Sequence, residues 1–258
     1  MARAQRVGSV VAHDVRPCST MIEHEQHRVL VTGGTRGIGR AIAERLRGDG
    51  AEVFVTGTRD VAEAPHGCHY VMADFATTGG AEALATRMST TNISVLVNNA
   101  GINRTAPFGD IDPADFDRMH RVNLRAPMIL CRALVPAMCQ RGWGRVINVS
   151  SIFGVVSRAE RACYSATKFG LDGMTAALAA EVVAHGVLAN CVAPGFIDTD
   201  LTREVLGDAG MAELASEVPA GRLGQPEEVA ELVAFLASHR NTFISGQNII
   251  IDGGYTRT

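Results

Sequence analysis

Tyr164 and Lys168 stand four residues apart in a stretch with helical patterning, so both side chains fall on one helix face. Composition makes the pair informative. Lys168 is the only lysine in the chain, and the tyrosines are Tyr70, Tyr164 and Tyr255 alone. A lone lysine placed at random would fall four after a tyrosine with a chance of about 1%. The pairing has a chemical use. Reduction of a ketone puts negative charge on its oxygen, which must receive a proton, and the reverse oxidation must remove one. A phenol with a pKa of ~10 holds its proton too tightly to act as base near neutral pH, and a neighbouring cation favours the phenolate. A compact ammonium meets that need in a way that planar guanidinium does not. Tyr164 is the expected acid/base, with Lys168 lowering its pKa.

A second constellation precedes it. Arg28-Val-Leu-Val-Thr32 runs straight into Gly33-Gly34-Thr35-Arg36-Gly37-Ile38-Gly39 and then into a helical pattern. Gly33 permits the sharp turn off a strand, Gly37 lets backbone approach a pyrophosphate, and Gly39 lets the helix pack closely on a sheet. The amides of the helix start would then hold the anion. A glycine cluster alone is weak evidence. Its place between the first strand and the first helix gives it weight.

The elements that must position these residues alternate along the chain. Strand-like runs lie at Arg28–Thr32, Glu52–Thr56, His69–Ala73, Ser94–Asn98, Arg145–Ser150, Val187–Ala193 and Asn248–Ile251, mostly continuous in hydrophobicity. Helical patterns lie near Ile38–Gly48, Gly80–Met88, Pro113–Gln140, Cys163–His185 and Pro226–Ala237. The alternation predicts an α/β fold, a doubly wound parallel sheet of about seven strands with helices on both faces. No linker or repeat interrupts it, so residues 28–258 read as one catalytic domain. Residues 1–27, with His13, His24, His27, Pro17 and three arginines, show no helical period and read as a disordered tail or as an over-long start with Met21 as initiator.

In Gly-x-x-x-Gly-x-Gly spacing, the segment Thr32–Gly39 resembles the cofactor motif of the short-chain dehydrogenase/reductase family, a Rossmann-type single-domain fold. Further landmarks follow in order: Asp74 ending the third strand, Asn98-Asn99-Ala100-Gly101 ending the fourth, Asn123 in a helix, Ser151 after the fifth strand, Tyr164-Ser-Ala-Thr-Lys168, and Pro194-Gly195 after the sixth. The resemblance covers residues 28–254. It implies a catalytic set of Asn123, Ser151, Tyr164 and Lys168. Ser151 precedes Tyr164 by the family's spacing, which favours it over Ser150, and its hydroxyl would orient the substrate oxygen. Asn123 would hold a water linking Lys168 to solvent, the alternative being that its side chain satisfies a backbone group. Lys168 would also reach the nicotinamide ribose. The implied dinucleotide contacts are Gly33, Thr35, Arg36, Gly37, Ile38 and Gly39, then Thr58, Arg59, Asp74, Phe75, Asn98, Ala100 and Gly101, and finally Tyr164, Lys168, Pro194, Gly195, Ile197 and Thr199. Asp74 would bind the adenine amino group, Asn98 would line the adenosine side of the cleft, the Ile197 backbone would take the carboxamide, and the Thr199 hydroxyl would reach cofactor oxygens.

The second strand decides between dinucleotides. NAD-selective folds usually carry an acid at its end for the ribose hydroxyls. Here Gly57 stands at that position, followed by Thr58 and Arg59, and Arg36 lies in the glycine turn. Arginine forks suit a 2′-phosphate. NADP(H) is expected, with NAD as the alternative should Asp60 fall nearer the ribose.

The expected activity is hydride transfer between NADP(H) and a ketone or secondary alcohol. A 3-oxoacyl-[acyl-carrier-protein] or acyl-CoA reductase is the alternative, since Val218–Gly224 and Ile102–Arg104 look similar to that subgroup. Against it, the positions of two carrier-docking arginines fall on Gly142 and His185, with Arg141 and Arg145 as partial substitutes. A non-catalytic dinucleotide sensor is a third reading, disfavoured by the complete catalytic set. Three arginines, Arg104, Arg158 and Arg161, are expected near the substrate mouth and suggest an anionic substrate, the alternative being a solvated loop in which Glu160 neutralises one of them. Asp200–Gly221 reads as a lid of two pieces broken at Gly207 and Gly210. Leu130, Leu134, Met138, Met174 and Leu178 suggest helices apolar on more than one side, hence a homotetramer or homodimer. A net charge of −3 with a pI near 6.2 gives no electrostatic reason to bind nucleic acid. No apolar run approaches the ~20 residues of a membrane span. Six cysteines without zinc spacing suggest no metal and a reduced, cytoplasmic setting.

Overall fold

The computed structural model describes residues 27–60 and 63–257, with the side chains of Leu201, Val205 and Leu206 excepted. Strands β1 (Arg28–Val31), β2 (Glu52–Gly57), β3 (His69–Met72), β4 (Val95–Asn98), β5 (Gly144–Val149), β6 (Val187–Pro194) and β7 (Asn248–Ile251) form one parallel sheet in the order β3-β2-β1-β4-β5-β6-β7. Neighbouring residues on a strand point to opposite faces, and both faces are covered. Leu30, Leu96 and Val146 join one core with residues of α2 (Gly80–Met88), α4 (Ala126–Arg141) and α5 (Ala162–Val182). Val29, Val31, Val95, Val97 and Ile147 join the other with α1 (Gly37–Gly48) and α7 (Pro226–Ala237). This double burial is why the strands read as unbroken apolar runs.

The chain reverses direction across the sheet between β1 and β4, and the crevice beyond their carboxyl ends is where such sheets bind ligands. Both the glycine turn and the Asn98–Gly101 segment leave the sheet at that point.

Some expectations need correction. The run expected as one helix over Pro113–Gln140 is α3 (Pro113–His120), a π-helical turn (Arg121–Arg125) and α4. Within it Leu130, Leu134 and Met138 lie in the core of the protomer, so they give no evidence for a second partner. The 113–141 stretch is long and apolar enough to cross a membrane by length and composition, yet more than half of its most apolar 18-residue window is buried against the rest of the fold. The lid segment is α6 (Asp200–Ser216), kinked at Gly207, where φ is 63° and ψ 178°, while Gly210 stays helical. The expected tail falls outside the described residues apart from His27, whose ring stacks on Trp143 at 4.2 Å.

Candidate active site

The glycine turn is held by side chains at three strand ends. Buried Thr32 accepts through Oγ1 from the amides of Asn99 and Ala100, both at 3.0 Å. Asn99 Nδ2 donates to the carbonyls of Thr32 at 2.9 Å and Gly33 at 3.1 Å. Thr56 Oγ1 accepts from Gly33 N at 3.0 Å. Sequence reasoning left Asn99 and Thr56 out of the site. The doubled asparagine at the end of β4 was the available signal, since Asn98 and Asn99 must point to opposite faces.

The turn leaves a cradle that fits a dinucleotide. Gly37 opens α1 at a φ of +53°, and no side chain caps that helix or places an acid in its first turn, so its amides are turned out for an anion. A Cβ at Gly39 would stand 2.2 Å from the Gly33 carbonyl oxygen, which explains the glycine there by packing. The methyl of Thr199, at the start of α6, bounds the space over Gly37. Ile38 packs half-buried on the core, and Thr35 lies against Gly57 at the end of β2. Arg36, Thr58 and Arg59 are exposed around that edge.

Other expected cofactor contacts are placed differently. β3 ends at Met72, so Asp74 lies in the following turn, where its Oδ1 accepts from Ala76 N at 2.9 Å. Phe75 is a core residue, leaving only its backbone to face the crevice. Asn98 does not line the cleft: its Nδ2 donates to Asn148 Oδ1 at 2.7 Å inside the sheet layer. The Ile197 carbonyl accepts from Thr202 Oγ1 at 3.0 Å and its side chain is buried. The Thr199 hydroxyl caps α6, accepting from Thr202 N at 3.2 Å. Pro194 ends β6, and a Cβ at Gly195 would meet Asp252 Cα at 2.8 Å.

The expected catalytic residues converge at the same end of the sheet. Ser151 follows β5, and its hydroxyl is near enough to the Tyr164 phenol, in the first turn of α5, to lower the phenol's pKa. Ser151 Oγ also accepts from Phe153 N at 3.2 Å. Ser150 turns instead to the Lys168 carbonyl at 3.4 Å. Lys168 is 3% exposed and donates through Nζ to the Val149 carbonyl at 2.8 Å. Burial pushes its ammonium down to about 8. Gly101 leaves room between two of these groups: a Cβ there would lie 3.5 Å from Asn123 Oδ1 and 3.7 Å from Lys168 Nζ.

The electrostatics of the phenol differ from expectation, and Asn123 takes the second of its two expected roles. Burial lifts the Tyr164 phenol above its ordinary pKa, and it is the Ser151 hydroxyl and then the Arg161 charge that pull it partly back. The Lys168 ammonium lies over the Tyr164 ring, 5.6 Å from its centroid, while its hydrogen bond goes to the Val149 carbonyl. Asn123 clasps Ile102, accepting from its amide and donating to its carbonyl, each at 2.8 Å, with a further bond to Thr167 Oγ1 at 3.1 Å. The π-helical turn re-aims this side chain, a frequent use of such turns.

A family model described as Enoyl-(Acyl carrier protein) reductase matches residues 33–256. The 3-oxoacyl-[acyl-carrier-protein] reductase FabG of Aquifex aeolicus is 38% identical over 243 residues, covering 87% of this chain and 95% of that protein. Its counterpart of the same name in Escherichia coli is 36% identical over 233 residues, with coverages of 87% and 95%. Among solved structures, a gluconate 5-dehydrogenase from Burkholderia cenocepacia in complex with NADP and tartrate superposes with a TM-score of 0.84 at 31% identity, covering 92% of this chain and 98% of that one. Fold and relatives together define an oxidoreductase of alcohol and carbonyl groups on a Rossmann-type sheet. The chain belongs to the short-chain dehydrogenase/reductase family.

Proposed function

We propose that the chain reduces a ketone with NADPH, or oxidises the corresponding secondary alcohol with NADP+, using Tyr164 as general acid/base. The observation that carries this is the convergence of Ser151, Tyr164 and buried Lys168 at the carboxyl end of the sheet, beside the glycine turn, with the Ser151 hydroxyl and the Lys168 ammonium both close to the phenol. When bound, the dinucleotide supplies or accepts the hydride. Ser151 holds the carbonyl oxygen, and Tyr164 Oη donates its proton to that oxygen in reduction and takes it back in oxidation. Lys168 places a cation behind the phenol. The Thr32–Asn99–Thr56 clasp keeps the turn rigid so that its amides meet the pyrophosphate. Arg36 and Arg59, exposed with no acid at Gly57 between them, favour the 2′-phosphate. The gluconate 5-dehydrogenase neighbour was crystallised with NADP, which supports the same choice.

The FabG relatives favour a second reading, reduction of a 3-oxoacyl thioester. Of its two substitute carrier contacts, Arg145 is unsuited: it is 4% exposed, and its guanidinium is spent on the carbonyls of Gly144 and Asn241. Arg141 donates to the Ile93 carbonyl. We further propose a cytoplasmic homo-oligomer, tetramer or dimer, joined through α4 and α5, which expose Met128 (39%) and Phe169 (46%). Residues 28–258 would be its catalytic domain.

The deciding experiment follows NADPH and NADH consumption by absorbance against a panel of ketones that includes acetoacetyl-CoA. Turnover of simple ketones with a clear NADPH preference is the expected result. A clear NADH preference would refute the cofactor assignment, and activity confined to acetoacetyl-CoA would favour the thioester reading.

A further inference from the structure

The loop between Ser151 and Tyr164 carries two guanidinium groups that proton transfer does not require. Arg158 and Arg161 lie over the same ring, Phe153, with their central carbons 5.6 Å and 5.2 Å from its centroid. Phe153 is two residues past Ser151 and donates its amide to the Ser151 hydroxyl. Arg161 is near enough to Tyr164 for its charge to act on the phenol. Both cations therefore flank the place where a carbonyl oxygen would be held.

Their own counter-charges are weak. Glu160 stands between them in sequence, but its φ of +65° turns it to a separate cavity that it lines with Arg104, Asp110, Asp112 and Asp115. Arg104 belongs there too, paired with Asp115 at 2.9 Å, so it leaves the group of three expected from sequence. Among the described residues no ion pair joins Glu160 to an arginine, and the carboxylate nearest Arg158 is Glu217 at 3.7 Å, just past the end of α6. Burial and the like charge of Arg158 lower the Arg161 pKa by more than the Tyr164 and Glu160 charges raise it, the mark of a half-buried cation whose neighbouring anions do not fully compensate it. An apolar wall adjoins the pair: Phe196 lies 5.9 Å below Arg158 and packs edge-on against Tyr255 at 4.9 Å.

We infer that Arg158 and Arg161 form a subsite for an oxyanion, a carboxylate or phosphate, carried by the ketone a few bonds from its carbonyl, and that Glu217 is the internal anion that Arg158 exchanges for it. This rests on the hydride-transfer reading above and names the substrate class for it. The carbonyl meets Ser151 and Tyr164, the carbon chain crosses Phe153 and Phe196, and the guanidinium forks take the oxyanion. Glu217 sits at the end of the lid helix, so the exchange also ties substrate charge to that segment.

The test uses the full chain loaded with NADP+ and calorimetric binding of two pairs of compounds, each differing in one charged group: 4-oxopentanoate with its methyl ester, and dihydroxyacetone phosphate with dihydroxyacetone. The wild type is expected to prefer the charged member of at least one pair by about tenfold, and which pair responds tells carboxylate from phosphate. Arg161→Lys and Arg158→Ala are expected to weaken the charged member several-fold and spare its neutral partner. Glu217→Gln is expected to tighten the charged member alone, which a packing role for these residues would not produce. Equal binding within both pairs by the wild type, or equal losses for charged and neutral members in the arginine variants, overturns the inference. Arginine-dependent oxyanion binding without NADPH-linked turnover of any ketone would leave the subsite standing and reject the hydride-transfer reading instead.

Discussion

Replacing Ser151 with alanine tests the coupling on which the proposed chemistry depends. Burial raises the Tyr164 phenol, and the Ser151 hydroxyl is the larger of the two influences that lower it. A hydrogen bond to a charged group contributes about 1.5–3 kcal/mol. Removing this one should raise the phenol pKa further. Phenolate is the base in alcohol oxidation, so kcat/KM rises with pH through that pKa. The assay is the pH profile of kcat/KM for a secondary alcohol with saturating NADP+. In Ser151→Ala the ascending limb should move to higher pH, which costs about 10- to 100-fold at a fixed pH below both limbs. Any defect that persists on the plateau measures the separate loss of substrate orientation. Ser150→Ala is the control, because that hydroxyl faces the Lys168 carbonyl, and its limb should stay in place. A Ser151→Ala enzyme that is slow at every pH with an unmoved limb would refute the coupling and leave Ser151 as an orienting group only.

Tyr164→Phe keeps the ring's packing and removes the proton donor, so kcat should fall about 10²- to 10⁴-fold with dinucleotide binding retained; kcat above about a tenth of wild type would reject the role. Arg36→Ala and Arg59→Ala should each raise KM for NADPH about 5- to 20-fold and leave KM for NADH within about twofold, as steady-state kinetics would measure, because only NADPH carries the 2′-phosphate. Phe169→Glu puts a charge on the exposed face of α5 and should shift light scattering toward monomer at micromolar concentration; an unchanged mass would place the interface elsewhere.

The elements were legible in the sequence because of their double burial. Val29 to Val31 and Val95 to Val97 face two cores alternately, and no polar face breaks the run. Tyr164, Lys168 and Ser151 were legible because their types are rare or their spacing is fixed by one strand and one helix. What was illegible depended on which way a side chain turns at a strand end. Asn98 and Asn99 are neighbours with opposite directions, and only coordinates assign one to the core and the other to the turn. For Asn123 the sequence left two readings open, a water or a backbone group; its side chain satisfies the backbone of Ile102, and the π-helical turn that re-aims it leaves no compositional trace. Leu130, Leu134 and Met138 read as surplus apolar residues because a helix lying between a sheet and its neighbours is apolar on most sides without any second chain.

The placement of Lys168 sets function against stability, and the two can be separated. Its ammonium is buried, holds one hydrogen bond to the Val149 carbonyl, and has its pKa lowered from 10.5 to about 8. A cation with a folded-state pKa below its unfolded value destabilises the fold wherever it is protonated, here by about 3 kcal/mol below pH 8. As pH rises from 8 to 10.5 the folded lysine loses its proton while the unfolded chain still binds one, so this penalty fades across that window. Lys168→Met fills similar space without charge. It leaves the Val149 carbonyl without its donor, which offsets about 1–2 kcal/mol of the gain. The methionine variant should therefore be inactive yet melt about 3–6 °C higher than wild type at pH 7, with the gap closing toward pH 10. Measuring both melting temperatures across that range decides the matter. A variant less stable than wild type at pH 7, or a gap that does not narrow with pH, would mean that the buried ammonium is compensated by the protein around it, and that the active site carries no stored electrostatic cost.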